Sequence, residues 1–199
     1  MRRRSRFAAL LAALVGAALA LAACQPHQFT AATLEPAKPL ADFELPAADG
    51  GTFRLSDHRG ELVLVYFGYT FCPDVCPATM LEARRAMEAL GDDAEDVQLV
   101  MVSVDPERDT PERLQEYVTN FHPTFMGART TDLDALDAVL ADFGAYYEIE
   151  EAPEGSDNYP VTHTASLFLV DREGRLRALF PYGATHEQIA GDLRQLLKD

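Results

Sequence analysis

Two cysteines, each followed by proline, stand four residues apart in Gly68-Tyr-Thr-Phe-Cys72-Pro-Asp-Val-Cys76-Pro77. A residue before proline is pushed out of the α region, so this spacing predicts a helix that opens at Pro77 with Cys76 near its N-cap. Both sulfurs then lie beside free backbone N–H groups and the positive end of the helix dipole, which favours thiolate over thiol. Two such sulfurs a few ångströms apart can close a disulfide or clamp a soft metal ion. A purely structural disulfide is the weaker reading, because closing so short a loop removes little chain entropy. The familiar redox spacing is Cys-x-x-Cys, and the extra residue leans away from general oxidoreductase work and towards metal.

A metal needs further donors, and the chain has five histidines. His27 stands in a polar N-terminal stretch, His58 in a loop before an apolar run, His122 before Pro123, and His186 at the start of the last helix; each reads as a surface residue. His163 differs, because Tyr159-Pro160-Val161-Thr162-His163-Thr164 runs directly into an apolar strand. Beside Cys72 and Cys76 it is the leading third donor. Two thiolates suit Cu(I), and an added imidazole gives a set that also tolerates Cu(II). Structural zinc normally shows four clear Cys/His ligands, and only three candidates cluster here.

The elements that must position these residues alternate between strand and helix from about residue 40. Leu40–Leu45 and Thr52–Leu55 flank Asp49-Gly50-Gly51, the signature of a β-hairpin. Glu61–Phe67 and Val97–Val104 are nearly unbroken apolar runs, as expected of strands buried on both faces. A helix to about Leu90 links them. Thr110 and Pro111 mark a helix start that runs to Phe121, and another helix begins near Thr131. Ala145–Ile149 reads as a short strand. Thr162–Val170 and Leu176–Phe180 bracket the turn Asp171–Gly174, and Thr185 with Gln188 has the capping-box spacing that opens the last helix. This order predicts an α/β protein with a thioredoxin-like, peroxiredoxin- or glutathione-peroxidase-type central sheet flanked by helices, and an added N-terminal hairpin. In that topology the loop carrying His163 approaches the cysteine helix.

The sequence has 199 residues, 48% of them hydrophobic and 25% charged, enough to bury a core and too apolar for whole-chain disorder. Its formal charge is −15; without the arginines at 2, 3, 4 and 6, the remainder carries 13 basic against 32 acidic groups, or −19. So acidic a body is repelled by phosphate backbones, which excludes nucleic acid as a partner. Residues 1–23 have the layout of a signal peptide: arginines, then a 17-residue uncharged run from Phe7 to Ala23, short of the roughly 20 needed to span a bilayer. That run ends in Leu21-Ala22-Ala23-Cys24, which resembles a bacterial lipobox with Cys24 as the lipidated residue. Residues 24–39 then read as a lipid-anchored tether, about 50 Å long if fully extended, and residues 40–199 as the folded domain. Export places that domain on the periplasmic or extracytoplasmic side of the membrane.

Three segments resemble signatures of one family: Phe67–Pro77 (FGYTFCPDVCP), Val104–Glu112 (VDPERDTPE) and Tyr159–Asp171 (YPVTHTASLFLVD). They are similar to those of the Sco/SenC family, the copper proteins of cytochrome c oxidase assembly, as is Leu55–Gly60 (LSDHRG). The resemblance covers about residues 40–199. It implies a membrane-tethered, monomeric, thioredoxin-like copper chaperone with one copper per chain, Cu(I) or Cu(II), held by Cys72, Cys76 and His163. It also implies work on the CuA centre of an aa3- or ba3-type oxidase, with the CuA-bearing subunit, a copper donor and a thiol reductant as partners. The alternative within the same resemblance is a thiol–disulfide reductase that keeps the oxidase's copper-site cysteines reduced through Cys72 and Cys76. A peroxidase is disfavoured, since Thr70 and Cys72 lack the Pro-x3-Thr-x2-Cys spacing of peroxiredoxins. One departure stands out: many family members have Asp before the ligand histidine, where this chain has Thr162. The acidic run Glu148, Glu150, Glu151, Glu154 and Asp157 reads first as a solvated face and second as a guide for a docking partner.

Overall fold

The computed structural model describes residues 28–152 and 159–198. The signal segment, Cys24, His27, Glu154 and Asp157 lie outside the described residues. A six-stranded mixed sheet forms the centre, in the order β1-β10-β9-β4-β5-β6. Its strands are β1 (Ala32–Pro39), β4 (Leu62–Gly68), β5 (Val97–Ser103), β6 (Met126–Ala128), β9 (Leu167–Val170) and β10 (Arg175–Phe180). The expected hairpin forms a separate pair, β2 (Glu44–Pro46) with β3 (Thr52–Arg54), and β7 (Tyr147–Ile149) pairs with β8 (Val161–His163). Among the described residues there are four α-helices: α1 (Val75–Leu90), α2 (Pro111–Phe121), α3 (Leu133–Phe143) and α4 (His186–Leu196). Among the described residues, no helix is long and apolar enough to cross a membrane.

The two apolar runs take the buried places. Every residue of β4 is buried, and it pairs in parallel with β5 from Leu62 opposite Val97 to Gly68 opposite Ser103. β4 also pairs antiparallel with β9, and β9 with β10, so a β4-α1-β5 crossover is joined to a β9-β10-α4 unit in the thioredoxin-like manner. Phe67, Phe143 and Phe168 meet edge-on beneath the site, with ring centroids 5.4 to 5.6 Å apart. The inward face of α1 carries Cys76, Met80, Ala83, Met87 and Leu90, the three- and four-residue steps of an amphipathic helix. That helix packs beside α4, whose Thr185–Gln188 box closes as expected: the Thr185 N–H donates to Gln188 Oε1 over 2.9 Å. The turn after β9 needs its glycine, since Gly174 has φ +74°.

Three expectations are corrected, and one strand is added to them. Residues 32–39, read as part of a tether, are the edge strand β1, paired antiparallel with β10; an edge position tolerates Pro36 and Pro39 and needs no apolar alternation. The folded domain therefore begins before residue 40. Helix α1 starts at Val75 rather than Pro77, because the first-turn N–H groups have no intrahelical acceptor and proline loses nothing there. The single strand expected over 162–170 is two, β8 and β9, which belong to different sheets. Finally, the unforeseen three-residue β6 is held by pairing with β5 and by a close approach of Leu114 to Gly127.

Candidate metal centre

The three expected donors meet. β4 delivers the chain at Gly68 to the end of the sheet, a turn follows in which the Cys72 N–H donates to the Tyr69 carbonyl over 3.3 Å, and α1 begins with Cys76 in its first turn. From the other side, β8 ends on His163, paired opposite Tyr147 of β7. One ligand atom from each of Cys72, Cys76 and His163 lies within 4.8 Å of the others. The Cys76 backbone N–H donates to the Cys72 sulfur at 3.4 Å, and His163 Nε2 lies 3.4 Å from Cys76 Sγ. Neither cysteine is in a disulfide.

His163 is aimed by its surroundings. Its Nδ1 lies 3.2 Å from the Thr164 carbonyl, which can only accept, so Nδ1 carries the proton and Nε2 keeps its lone pair for the sulfur side. A metal-binding imidazole is commonly held in this way through its second nitrogen. The rings of Tyr66 and Tyr69 stand edge-on to the imidazole, at 6.1 and 5.8 Å. Thr162, in place of the expected Asp, donates its hydroxyl to Glu150 Oε1 over 2.5 Å. A carboxylate is thus bound to the residue before His163 from just past the end of β7.

The two thiols are not equivalent. A hydrogen bond from Cys76 is the main reason that the Cys72 thiol is depressed to about 3; burial opposes it, and the backbone N–H groups of Cys76 and Asp74 add to it. Cys76 moves the opposite way, raised first by the same bond and then by its burial. The pair thus holds one proton, on the inner sulfur. Since the folded value of Cys72 is depressed, the stability linked to its thiolate is full only above the ordinary value of 9.0 and is lost progressively as pH falls from there through about 3. We expect iodoacetamide to label Cys72 at a nearly constant rate between about pH 5 and 8 and to spare Cys76. A rate that climbs only towards the ordinary thiol value of 9.0 would contradict this asymmetry.

Space around the sulfurs is tight. A Cβ at Gly68 would stand 2.7 Å from Tyr66 Cε1, 3.1 Å from Cys76 Sγ and 3.2 Å from Met101 Cε. Gly68→Ala is therefore expected to shift Cys76 and to cost about 1–3 kcal/mol, read as a lower midpoint in urea and slower metal uptake by the reduced protein. An unchanged midpoint would show that Tyr66 and Met101 yield freely.

Beneath the turn lies a buried polar network that the sequence patterns did not reveal. Asp109, fully buried, accepts from Ser103 Oγ at 2.6 Å, from Thr70 Oγ1 at 2.6 Å and from the Thr70 N–H at 3.1 Å. Burial raises its carboxyl above the ordinary value, against the pull of these donors. Asp105, also buried, accepts from the Tyr159 hydroxyl at 2.8 Å and pairs with Arg108, whose guanidinium lies 3.6 Å from the Tyr159 ring centre. The Val104 N–H donates to the Gly68 carbonyl over 3.0 Å. Val104–Glu112 thus ties the cysteine turn to the chain leading to His163. The usable signal was two aspartates in a segment otherwise following a buried strand.

The described histidines set aside in the sequence are indeed placed elsewhere. His58 stacks on Phe53 at 5.0 Å and bonds Glu61, His122 bonds Thr124, and His186 bonds Glu82. Of the acidic run, Glu148, Glu150 and Glu151 are exposed beside β8.

Comparison with known proteins adds to this geometry. The SCO1/SenC family model matches residues 31–198. A SCO2-like protein of Rickettsia prowazekii is 37% identical over 133 residues, 67% of this chain; the chain spans only 64% of that protein's length. The human protein SCO2 homolog, mitochondrial, is 33% identical over 191 residues, which cover 92% of this chain and 71% of that one. Among solved structures, apo Sco1 from Thermus thermophilus superposes with a TM-score of 0.77 at 40% identity, covering 86% of this chain and 98% of that one. Bradyrhizobium japonicum ScoI with copper bound superposes with a TM-score of 0.71 at 33% identity, covering 80% and 99%.

Proposed function

Given that the chain belongs to the SCO1/SenC family, we propose that it is a copper chaperone of cytochrome c oxidase assembly that carries one copper on Cys72, Cys76 and His163. The observation that carries this reading is the meeting of two sulfurs and one imidazole nitrogen within 4.8 Å. That donor set accepts Cu(I) and tolerates Cu(II), and with three ligands it leaves room for a partner's ligand to enter before its own let go. A relative solved with copper bound supports the choice of metal. The cargo's destination is the CuA centre of the oxidase, reached from the extracytoplasmic side by a monomer anchored through a lipid on Cys24; a copper donor and a thiol reductant serve it in turn.

The test is copper binding by the reduced domain from residue 28 onward, read by stoichiometry, Cu(II) absorption and EPR. One copper per chain with a thiolate charge-transfer band is expected. No copper retained under competition would overturn the reading. The second reading, a thiol–disulfide reductase acting on the oxidase's cysteines, is favoured by one observation: Cys72 is a partly exposed thiolate beside a protonated partner thiol, the arrangement that dithiol exchange uses. A protein that reduces disulfides readily and supports oxidase assembly without His163 would establish it.

A further inference from the structure

The path by which the chain enters the domain fixes which end of the sheet a lipid anchor would hold. β1 is antiparallel to β10, with Ala32 opposite Leu179 and Pro39 opposite Arg175. β10 places Phe180 opposite Leu167 of β9, and β9 places Leu167 opposite Tyr66 of β4. Ala32, Phe180, Leu167 and Tyr66 therefore lie at one end, the end at which β4 delivers the cysteine turn. Pro39, Arg175, Val170 and Val63 lie at the other. The entry point is fastened, because the Thr30 and Ala31 N–H groups donate to Asp192 Oδ2 at 2.9 and 2.8 Å, and Asp192 of α4 is only 1% exposed. Phe29 packs against the core just before it.

We infer that, with a lipid on Cys24, the domain turns its Cys72–Cys76–His163 end towards the bilayer, so that its partner is an integral membrane protein offering its metal or thiol group close above the headgroups. This rests on the lipid-anchor reading given above. From Cys24 to Gln28 the chain spans at most about 14 Å, and β1 stands three strand spacings, about 15 Å, from β4. With the four residues from Gln28 to Ala32 included, the sulfurs are then held within roughly 40 Å of the membrane surface, and the opposite end lies about 20 Å further along the strands. Phe71, Tyr146 and Tyr182, among the most exposed large apolar side chains, border the same end. Phe71 adjoins Cys72, the Tyr146 N–H donates to Thr164 beside His163, and Tyr182 follows β10. The formal charge of −19 after residue 23 sets the domain as a whole against anionic headgroups, which favours a protein over the lipid itself as what it meets.

The chain has no tryptophan, so a single introduced one reports its own distance from a lipid dye. Full-length protein matured with its lipid is bound to phosphatidylcholine vesicles that carry a dansyl headgroup, as Tyr182→Trp at the site end and as Glu173→Trp at the opposite turn. Both positions are exposed, and copper binding by each variant verifies its fold. The expected result is energy transfer several-fold stronger from position 182 than from position 173. Equal transfer, or stronger transfer from 173, with vesicle binding that Cys24→Ala abolishes, would overturn the orientation while leaving the anchor intact. Vesicle binding unaffected by Cys24→Ala would overturn the anchor and the inference with it.

Discussion

His163→Ala is expected to lower copper affinity by well over the 10- to 100-fold that loss of an outer-shell partner costs, and to abolish any Cu(II)–thiolate absorption band. His163 supplies the only nitrogen in the three-donor cluster of the described residues, and its Nε2 lies 3.4 Å from Cys76 Sγ with Nδ1 occupied by the Thr164 carbonyl. Two sulfurs alone can still hold Cu(I) in a linear arrangement, so Cu(II) binding should suffer more than Cu(I) binding. The cysteine turn itself hangs on Thr70 and Asp109 rather than on the imidazole, so the variant should remain folded and its disulfide should still form. Copper affinity within tenfold of the parent would show that the ligand set is not the one the geometry presents.

Asp109→Ala should be the most destabilising single change near the site. It removes the acceptor of Ser103 Oγ, Thr70 Oγ1 and the Thr70 N–H, all in a fully buried setting. Breaking a buried charged network of this kind costs about 3–5 kcal/mol, and a domain of this size should lose on the order of 10 °C of thermal midpoint. Copper affinity should fall with it, because Thr70 stands two residues before Cys72. Asp109→Asn keeps the shape and some of the bonds, and its comparison with the parent carries a pH signature. The Asp109 carboxyl is raised from 3.8 by burial. A group so raised contributes stability that is full below its unfolded value and is lost as pH rises through its folded one. The parent's advantage over Asp109→Asn should therefore be largest on the acid side and shrink towards neutrality. Chemical denaturation of both proteins across that range measures it, and a constant difference would mean that the carboxyl titrates alike in the folded and unfolded states.

The parts legible in the sequence were those written in short-range physics. Thr110 and Pro111 open α2, and the Thr110 side chain accepts from the Arg113 N–H as a cap should. The apolar runs of β4 and β5 required burial on both faces, and they occupy the interior of the sheet. The Cys72–Cys76 spacing ahead of a helix, with one histidine at the start of an apolar strand, was enough to nominate the three residues that meet within 4.8 Å. Thioredoxin-like order followed from the same alternation.

Long-range pairing was decided only in three dimensions. Nothing in Ala32–Pro39 alternates, and most of the strand is exposed; it is a strand because β10 offers it hydrogen bonds at an edge, which no local pattern announces. Asp109 and Asp105 look like solvated charges in a polar loop, and they are fully buried because Thr70, Ser103 and Tyr159 arrive from other elements to satisfy them. The sequence by itself determined which atoms could bind a metal, since donor chemistry belongs to residue type. The tertiary structure decided their 4.8 Å grouping, the placing of their proton and the end of the sheet from which the chain departs, since distance, burial and direction belong to contacts between residues far apart in the chain.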